Sequence, residues 1–593
     1  LPPCASFLKG SLKKNSMIII KGVPASPGIA IGKAYVHEDE DLVVEKKILD
    51  KDKLKLEIKR FKDAVKQTND DLDATEAKVL MMLGKQHAKL IEAHKLILRD
   101  PLITQEVARI INEQYVNAEY ALSQTLEHVN RSFEKIDDEF FRERRHDLFD
   151  VGKRLIRHLT EKQERRTIAE LSEPVILAAH NLYPSDTFKL RESKVLGFCT
   201  DIGGKTSHTA LLAQSMEIPA VVGLSDITRQ VKNDDILIID GEQGLVIVNP
   251  GAEALEKYQK LRRKQIKEER FLDSVRNLST VTRDGRKTNL YINLDASEDI
   301  ANFVSLNPDG VGLVRTESVY MNRTAIPSED EQLAIYRKIA EAYNSVPVTL
   351  RLADIGGDKL ANLGVNLDKE QNPFMGLRGI RLLMQYPAIM KCQVRAIMRA
   401  AAGKTNVKVM IPMVSTLEEV CEVKSVITEI SDELLKEGKQ VPSCQLGIMV
   451  EVPSAALTLD TILSEIDFVS VGTNDLIQYI LAVDRVNQHV AHLYDPYHPA
   501  VLRILNLIIQ TAHKKGKPVS ICGEMASDPK ATYLLVGMGV DILSVTPRMF
   551  LKIKHTIRSM RFEQASQMAQ SAMGMGTSAQ VRELVSSTND ENP

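Results

Sequence analysis

The chain has no surplus of either charge: 77 Lys and Arg stand against 79 Asp and Glu, a net charge of −2. A general nucleic-acid binder needs a basic excess to displace counterions from phosphates, so that class is excluded and only a local basic pocket remains open. No apolar run approaches the ~18 residues of a membrane span, which excludes an integral membrane protein. The six cysteines, Cys4, Cys199, Cys392, Cys421, Cys444 and Cys522, form no CxxC pair and no small-domain spacing. That usage suits reduced thiols in a cytoplasmic protein. The opening segment LPPCASFLKGSLKKNS does not read as a secretory signal, because its apolar stretch is short and the lysines follow it, the reverse of a signal peptide. Residues 1–16 therefore read as a disordered extension, with the fold starting near Met17. Finally, 593 residues exceed the ~250 to 300 at which one hydrophobic core stops growing, so two to four domains are expected.

Glycine and proline are scarce from Asp41 to Glu170, where only Gly84, Gly152 and Pro101 occur. Leu54, Ile58, Phe61 and Val65 make an apolar stripe at i, i+4, i+7 and i+11, so residues 41–165 read as a bundle of long helices with a turn at Asp100-Pro101. From Pro174 the pattern changes to short β-branched runs, PVILAAHNL, KVLGFCTD, PAVVG, DILIIDG and LVIVNP, an α/β unit ending near residue 250. Residues 251–276 are charged and helix-prone, a stiff linker. After Thr282 eight strand candidates alternate with helical stretches, starting at Asn289, Gly310, Pro347, Val407, Gln445, Asp467, Pro518 and Asp541. That count and length predict a closed (β/α)8 barrel over 277–562, with strands buried on both faces and residues 563–593 as a C-terminal tail. The fold class is multidomain, α and α/β: a helical bundle inserted in or beside a small α/β domain built from 17–40 and 166–250, then the barrel.

The predicted barrel strands end in Arg315, Arg351 with Asp354, Glu451, Asn474 with Asp475, and Cys522 with Glu524, and barrel enzymes place chemistry at those ends. Arginines at neighbouring ends would grip a multiply negative substrate, with Lys359 and Arg485 adding to the cluster. Glu451 and Asp475 supply hard oxygens of the kind that hold Mg²⁺ with substrate and water, whereas zinc would want His or Cys. A salt bridge to an arginine is the plain alternative for either carboxylate. Cys522 is either a small buried residue or a group that handles a proton. In the α/β unit, DIGGKTSHTALLA sets His208 beside Lys205, two hydroxyls and a predicted helix N-terminus, a setting for a histidine that carries a phosphoryl group. The other twelve histidines lack such a setting.

GGKTSHTALLAQSMEIPAVVG, GVGLVRTESVYMNR, DIGGDK, NPFMGLRGIR, MVEVPSAAL and SVGTNDLIQYILAVDR together resemble the Enzyme I family of the sugar phosphotransferase system, in the family's order, from about Met17 to about Phe562. The resemblance implies phosphoryl transfer from phosphoenolpyruvate to His208 and on to the carrier HPr. On the matching positions it implies a ring contact from Thr187, and substrate binding by Arg315, Arg351, Lys359, Arg378, Asn474 and Arg485. It further implies Mg²⁺ at Glu451 and Asp475, and Cys522 as proton donor to the enolate. The bundle would dock HPr, with His94 matching a contact residue, and the barrel would form a homodimer. His208 would have to visit the barrel to receive phosphate. This chain departs from the family at Lys205, where arginine is common, in a less acidic face over Gly84–His94, and in SVTPRMFLKIK. Other phosphohistidine enzymes, of the pyruvate phosphate dikinase or phosphoenolpyruvate synthase type, need a nucleotide-binding domain that the mostly helical segment before the histidine domain, without a Gly-rich phosphate loop, cannot supply. A regulatory relative without catalysis is the remaining alternative. The charge balance would then hide a basic cluster at the barrel mouth.

Overall fold

The computed structural model describes residues 17–587 apart from 38–43, 84, 135–138, 161–172, 183–189, 191–192, 205–208, 211–212, 214–217, 298–299, 322, 324, 357–369, 371 and 488. The chain divides into two compact units between Glu268 and Glu269. No described helix is long and apolar enough to cross a membrane.

In the first unit the described strands are β1 (Ile18–Lys21), β2 (Val23–Ser26), β3 (Ile29–His37), β4 (Val175–Ala179), β5 (Val195–Thr200), β6 (Ala220–Val222), β7 (Ile236–Asp240) and β8 (Leu245–Val248). They form one sheet in the order β1-β8-β7-β3-β4-β5-β6-β2. Strands β3 to β6 pair in parallel, and β7, β8, β1 and β2 join antiparallel. Successive residues of β4 feed opposite faces: Ile176 and Ala178 enter one apolar cluster, Leu177 and Ala179 another. Both faces are covered, which is why this stretch reads as a continuous apolar run.

The parallel pair β3 and β4 needs a crossover, and the crossover carries the helices Leu54–Leu83, Lys85–Leu98, Pro101–Gln114, Ala118–Glu134 and Glu139–Thr160. The bundle is thus inserted between two adjacent strands. Leu54 and Phe61 are buried in its core, with Ile58 and Val65 packed against it, as the stripe requires. Pro101 opens its helix, where a missing N–H costs nothing. His94 departs from the docking role implied for it. Ile91, His94 and Leu98 share one helix face at i, i+3 and i+7, and all three are fully buried. Helical geometry turns the ring into the bundle core, out of a carrier's reach.

In the second unit β9 (Asn289–Asp295), β10 (Gly310–Arg315), β11 (Val348–Arg351), β12 (Val407–Ile411), β13 (Gln445–Val450), β14 (Phe468–Gly472), β15 (Val519–Cys522) and β16 (Ile542–Val545) close into a barrel of parallel strands, β16 returning to β9. Period-two alternation sorts the side chains. Leu446, Ile448 and Val450 of β13, and Val469 and Val471 of β14, pack outward under the helices. Met449, Phe468 and Cys522 meet Leu313 and Met410 in a separate interior cluster. The interior also holds a buried Asn293–Ser544 pair, with Ser544 Oγ donating to Asn293 Oδ1 at 2.6 Å and Asn293 Nδ2 donating to the Ser544 carbonyl at 3.0 Å. The strands are buried on both faces as expected, apolar outward and mixed polar and apolar inward.

Beyond residue 562 the chain is not a loose tail. The helices Phe562–Gly574 and Ser578–Ser587 bury Ala565, Met568, Ala569, Val581 and Val585 in the barrel unit's core. The first of these helices is capped from a distance: Asp284 Oδ1 accepts from Phe562 N at 2.8 Å and Oδ2 from Glu563 N at 3.1 Å. The Phe562 backbone N–H, then Thr282, hold the Asp284 carboxyl well below its ordinary range.

Two outcomes follow from this packing. A Cβ at Gly312 would lie 2.4 Å from Ser544 Oγ and 2.8 Å from its Cβ. Gly312→Val should therefore overpack the barrel interior and cost about 1–3 kcal/mol, measured by urea unfolding. Because the folded Asp284 carboxyl is depressed, its stabilisation is complete above the unfolded pKa and fades as pH falls toward the folded value. Asp284→Ala should lower the unfolding midpoint at pH 7, and the gap to wild type should narrow below about pH 4. A constant gap down to strong acid would contradict the capping role.

Candidate active site

The C-terminal ends of the barrel strands open into a cavity of about 670 Å³ lined by Leu313, Arg315, Glu317, Arg351, Asp354, Arg378, Met449, Glu451, Asn474, Asp475, Arg485, Tyr494, Cys522 and Glu524, among others. Each of the predicted barrel residues that is described reaches it. Arg315 ends β10 and Arg351 ends β11, Glu451 follows β13, and Cys522 ends β15. Asn474 and Asp475 lie in the first turn of the helix Thr473–Leu481, directly after β14. Arg378 is brought in by an antiparallel bridge to Gly356, just beyond β11. Lys359 lies outside the described residues, as do His208, Thr187 and Lys205 in the first unit.

The predicted basic cluster is corrected by the carboxylates interleaved with it. Four described lining arginines, Arg315, Arg351, Arg378 and Arg485, meet five carboxylates, Glu317, Asp354, Glu451, Asp475 and Glu524. Arg351 Nη2 donates to Glu317 Oε1 at 2.7 Å, and its Nη1 lies 3.6 Å from Asp354. Arg378 donates to both Asp354 oxygens at 3.1 and 2.7 Å and to Asp475 Oδ2 at 3.3 Å, with its guanidinium 5.7 Å from the Phe374 ring centroid. Arg485 lies 3.6 Å from Asp475 Oδ1. Burial works against the charge of Arg351 and Arg378, but Glu317 and Asp354 on the first and Asp354 and Asp475 on the second outweigh it, leaving both more firmly protonated than an ordinary arginine. Unpaired, such buried cations would be costly. Glu317 was missed in the sequence, although it stands two residues after Arg315. Asp354 was seen at its strand end without a partner.

Glu451 is 1% exposed, and its Oε1 accepts from Met413 N at 2.7 Å. Burial, then Asp354 and Asp475, push its carboxyl above the ordinary range. A Cβ on Gly472 would stand 2.7 Å from Glu451 Oε2, so the glycine gives this carboxylate its room. Asp475 Oδ1 is buried without a hydrogen-bond partner. Two acidic groups on neighbouring strands, one with an unsatisfied oxygen, fit a hard divalent cation. Among the described residues no set of three or more His, Cys, Asp or Glu is placed to hold a metal, so further ligands would come from substrate and solvent.

Cys522 is also 1% exposed. Its thiol donates to the Val471 carbonyl at 3.4 Å and its sulfur accepts from Ser470 Oγ at 3.5 Å. Burial pushes the thiol up, so it keeps its proton. The next residue, Gly523, has φ +96, and a Cβ there would meet Thr473 Oγ1 at 2.4 Å and Asn474 Oδ1 at 2.9 Å. A side chain at that position would displace the helix turn that carries Asn474, whose Oδ1 accepts from Glu524 N at 2.9 Å.

In the first unit Asp201 directly follows β5, seven positions before His208 in the sequence. It is buried, and its Oδ2 lies 2.9 Å from His180 Nδ1 and accepts from Thr228 Oγ1 at 2.5 Å. His180 thus has a buried carboxylate partner, a pairing the sequence reading did not make. Thr209 and Ala210, directly after His208, are helical and buried.

Three family models match the chain: the PEP-utilising enzyme N-terminal domain over residues 21–144, the mobile domain over 171–244, and the PEP-binding domain over 269–562. The chain is 40% identical over 573 residues to a phosphoenolpyruvate-protein phosphotransferase of Bacillus sp. (strain S), covering 96% of this chain and 98% of that one. It is 38% identical over 569 residues to the phosphotransferase of that name from Haemophilus influenzae, covering 96% and 98%. A solved chain titled as the solution structure of Enzyme I aligns with 42% of this chain and 99% of its own, at 39% identity and a TM-score of 0.36. With the barrel-mouth geometry and this identity over nearly its whole length, the chain belongs to the phosphoenolpyruvate-protein phosphotransferase family of PEP-utilising enzymes.

Proposed function

We propose that the barrel mouth binds phosphoenolpyruvate, that its phosphoryl group passes to His208, and that phospho-His208 hands it to an HPr-type carrier, the first step of a sugar phosphotransferase system. One observation carries this reading: four arginines, two carboxylates with metal-binding character and a protonated thiol converge on one cavity at the C-terminal end of the barrel. Arg315, Arg351, Arg378 and Arg485 bind the phosphate and carboxylate groups, with Asn474 beside them. Lys359 joins them by its match to the family motif. Glu451 and Asp475 hold Mg²⁺, which when bound offsets negative charge on the phosphoryl and enolate oxygens.

The chemistry then asks mainly for position and charge. The P–O bond to the enol breaks as a P–N bond forms at His208 Nε2, and the enolate keeps the electron pair. Cys522 delivers the proton that turns the enolate carbon into the methyl group of pyruvate. Its buried, un-ionised thiol supports that role. Carboxylates paired with the arginines keep the mouth near neutrality, so a negatively charged substrate and a divalent cation would enter as complementary charges. Thr187 and Lys205 orient the His208 ring and its phosphate. In this proposal 17–40 with 166–250 carries His208, 41–165 docks the carrier, and 277–562 holds the substrate and forms a homodimer, in the cytoplasm. Burial of His94 moves the carrier contact to other residues of the bundle surface.

His208→Ala should abolish both labelling of the protein by [³²P]phosphoenolpyruvate and carrier-dependent pyruvate release; unchanged turnover would sink the proposal. Asp475→Asn should raise the Mg²⁺ concentration for half-maximal activity by about tenfold or more, read from a metal titration at saturating phosphoenolpyruvate. A metal requirement equal to wild type would remove Asp475 from the metal site.

A further inference from the structure

We infer that Glu317, backed by Thr316, is a positioning residue that clamps Arg351 in its productive orientation, an inference that rests on the barrel mouth being the phosphoenolpyruvate site. The tripeptide Arg315-Thr316-Glu317 leaves the end of β10 with three different fates. Arg315 is exposed at the mouth, Thr316 is fully buried, and Glu317 returns to line the cavity. Thr316 Oγ1 donates to the Arg351 carbonyl at 2.8 Å and accepts from Gln393 Nε2 at 3.0 Å. Gln393 is itself fully buried, and its Oε1 accepts from Ala353 N at 2.9 Å. Glu317 Oε1 closes the set, accepting from Arg351 Nη2 at 2.7 Å and from Asp354 N at 3.0 Å. The backbone from Arg351 to Asp354 is thus held at three points, and the guanidinium at a fourth.

The consequence lies in what the clamp leaves over. With Nη2 taken by a carboxylate, Nη1 faces the Met449 sulfur at 3.4 Å, and Asp354 is 3.6 Å away, outside good hydrogen-bond range. A thioether is a weak acceptor, and both Arg351 and Met449 line the cavity. A phosphoryl oxygen would be a stronger partner for Nη1 than anything it now touches. Glu317 therefore keeps one edge of the guanidinium occupied and the other presented to the substrate. Without Glu317 the guanidinium is free to swing onto Asp354, which would satisfy its charge and withdraw it from the phosphate. Glu317 acts through Arg351 and need not touch substrate.

The test uses the full chain and the exchange of labelled pyruvate into phosphoenolpyruvate, which needs no carrier. Glu317→Ala should lower kcat/KM for phosphoenolpyruvate by about 100-fold, the scale of a misplaced substrate-positioning group. Glu317→Gln, which keeps an acceptor oxygen, should recover a large part of that loss. In an Arg351→Ala background, adding Glu317→Ala should change the rate by less than about twofold, because both substitutions remove one interaction. The Mg²⁺ concentration for half-maximal exchange should be unchanged in Glu317→Ala. Full activity in Glu317→Ala, an additive loss in the double variant, or a raised Mg²⁺ requirement, which would make Glu317 a metal ligand, each overturns the inference. If Glu317→Ala does not reach the wild-type unfolding midpoint, Glu317→Gln decides alone: a loss of rate at unchanged Mg²⁺ requirement supports the clamp, and wild-type rate refutes it. Full exchange activity in Arg351→Ala would instead overturn the placement of phosphoenolpyruvate, independently of Glu317.

Discussion

Arginines gathered at one end of a barrel repel one another and lose hydration, and the structure resolves both problems by interleaving carboxylates among them. Asp354 bridges Arg351 and Arg378, and Asp475 bridges Arg378 and Arg485. Both bridging carboxylates are largely desolvated, so removing a single partner would strand a buried charge. This pairing offsets the repulsion between the arginines. It also sets the terms for a ligand, which must bring negative charge for the arginines.

The barrel is what makes such interleaving possible. Strand alternation sends Val450 outward under the helices while Met449 turns into the interior, and it places Glu451 at the next inward position. The same rule puts Ile521 outward and Cys522 inward. Because all eight strands run parallel, their C-terminal ends converge on one rim. Residues far apart in sequence, such as Glu317 and Arg351, or Arg378 and Asp475, become neighbours there. Small residues at the rim are part of that arrangement, since Gly472 makes room for Glu451 and Gly523 for Asn474.

Much of this was legible beforehand. The strand candidates at Asn289, Gly310, Val407 and Gln445 begin where β9, β10, β12 and β13 begin, because a strand buried under helices must be apolar at every second position at least. The stripe Leu54, Ile58, Phe61, Val65 marks the bundle face for a similar reason. Other features were not legible. The interior polar pair Asn293 and Ser544 is satisfied only across the β9–β16 closure, and His94 looks like any polar helix residue until Ile91 and Leu98 are known to face the core. The helices after residue 562 are amphipathic by sequence, but the packing surface they need is supplied by the barrel unit.

Periodicity, glycine and proline placement and the strand-end residues were determined by the sequence alone, because they follow from local backbone geometry and the burial of apolar faces. Those rules specified a helical bundle in or beside an α/β domain and a barrel with Arg315, Arg351, Glu451, Asp475 and Cys522 at one end, and the strand order shows the bundle to be inserted. Only the tertiary structure decided how those charges are shared. Whether an arginine faces a substrate or a carboxylate depends on distances of a few ångströms between different strand ends, and no local pattern encodes them. Thus Glu317, an ordinary acidic residue in the chain, became the partner that fixes Arg351, and a presumed basic cluster became a balanced network.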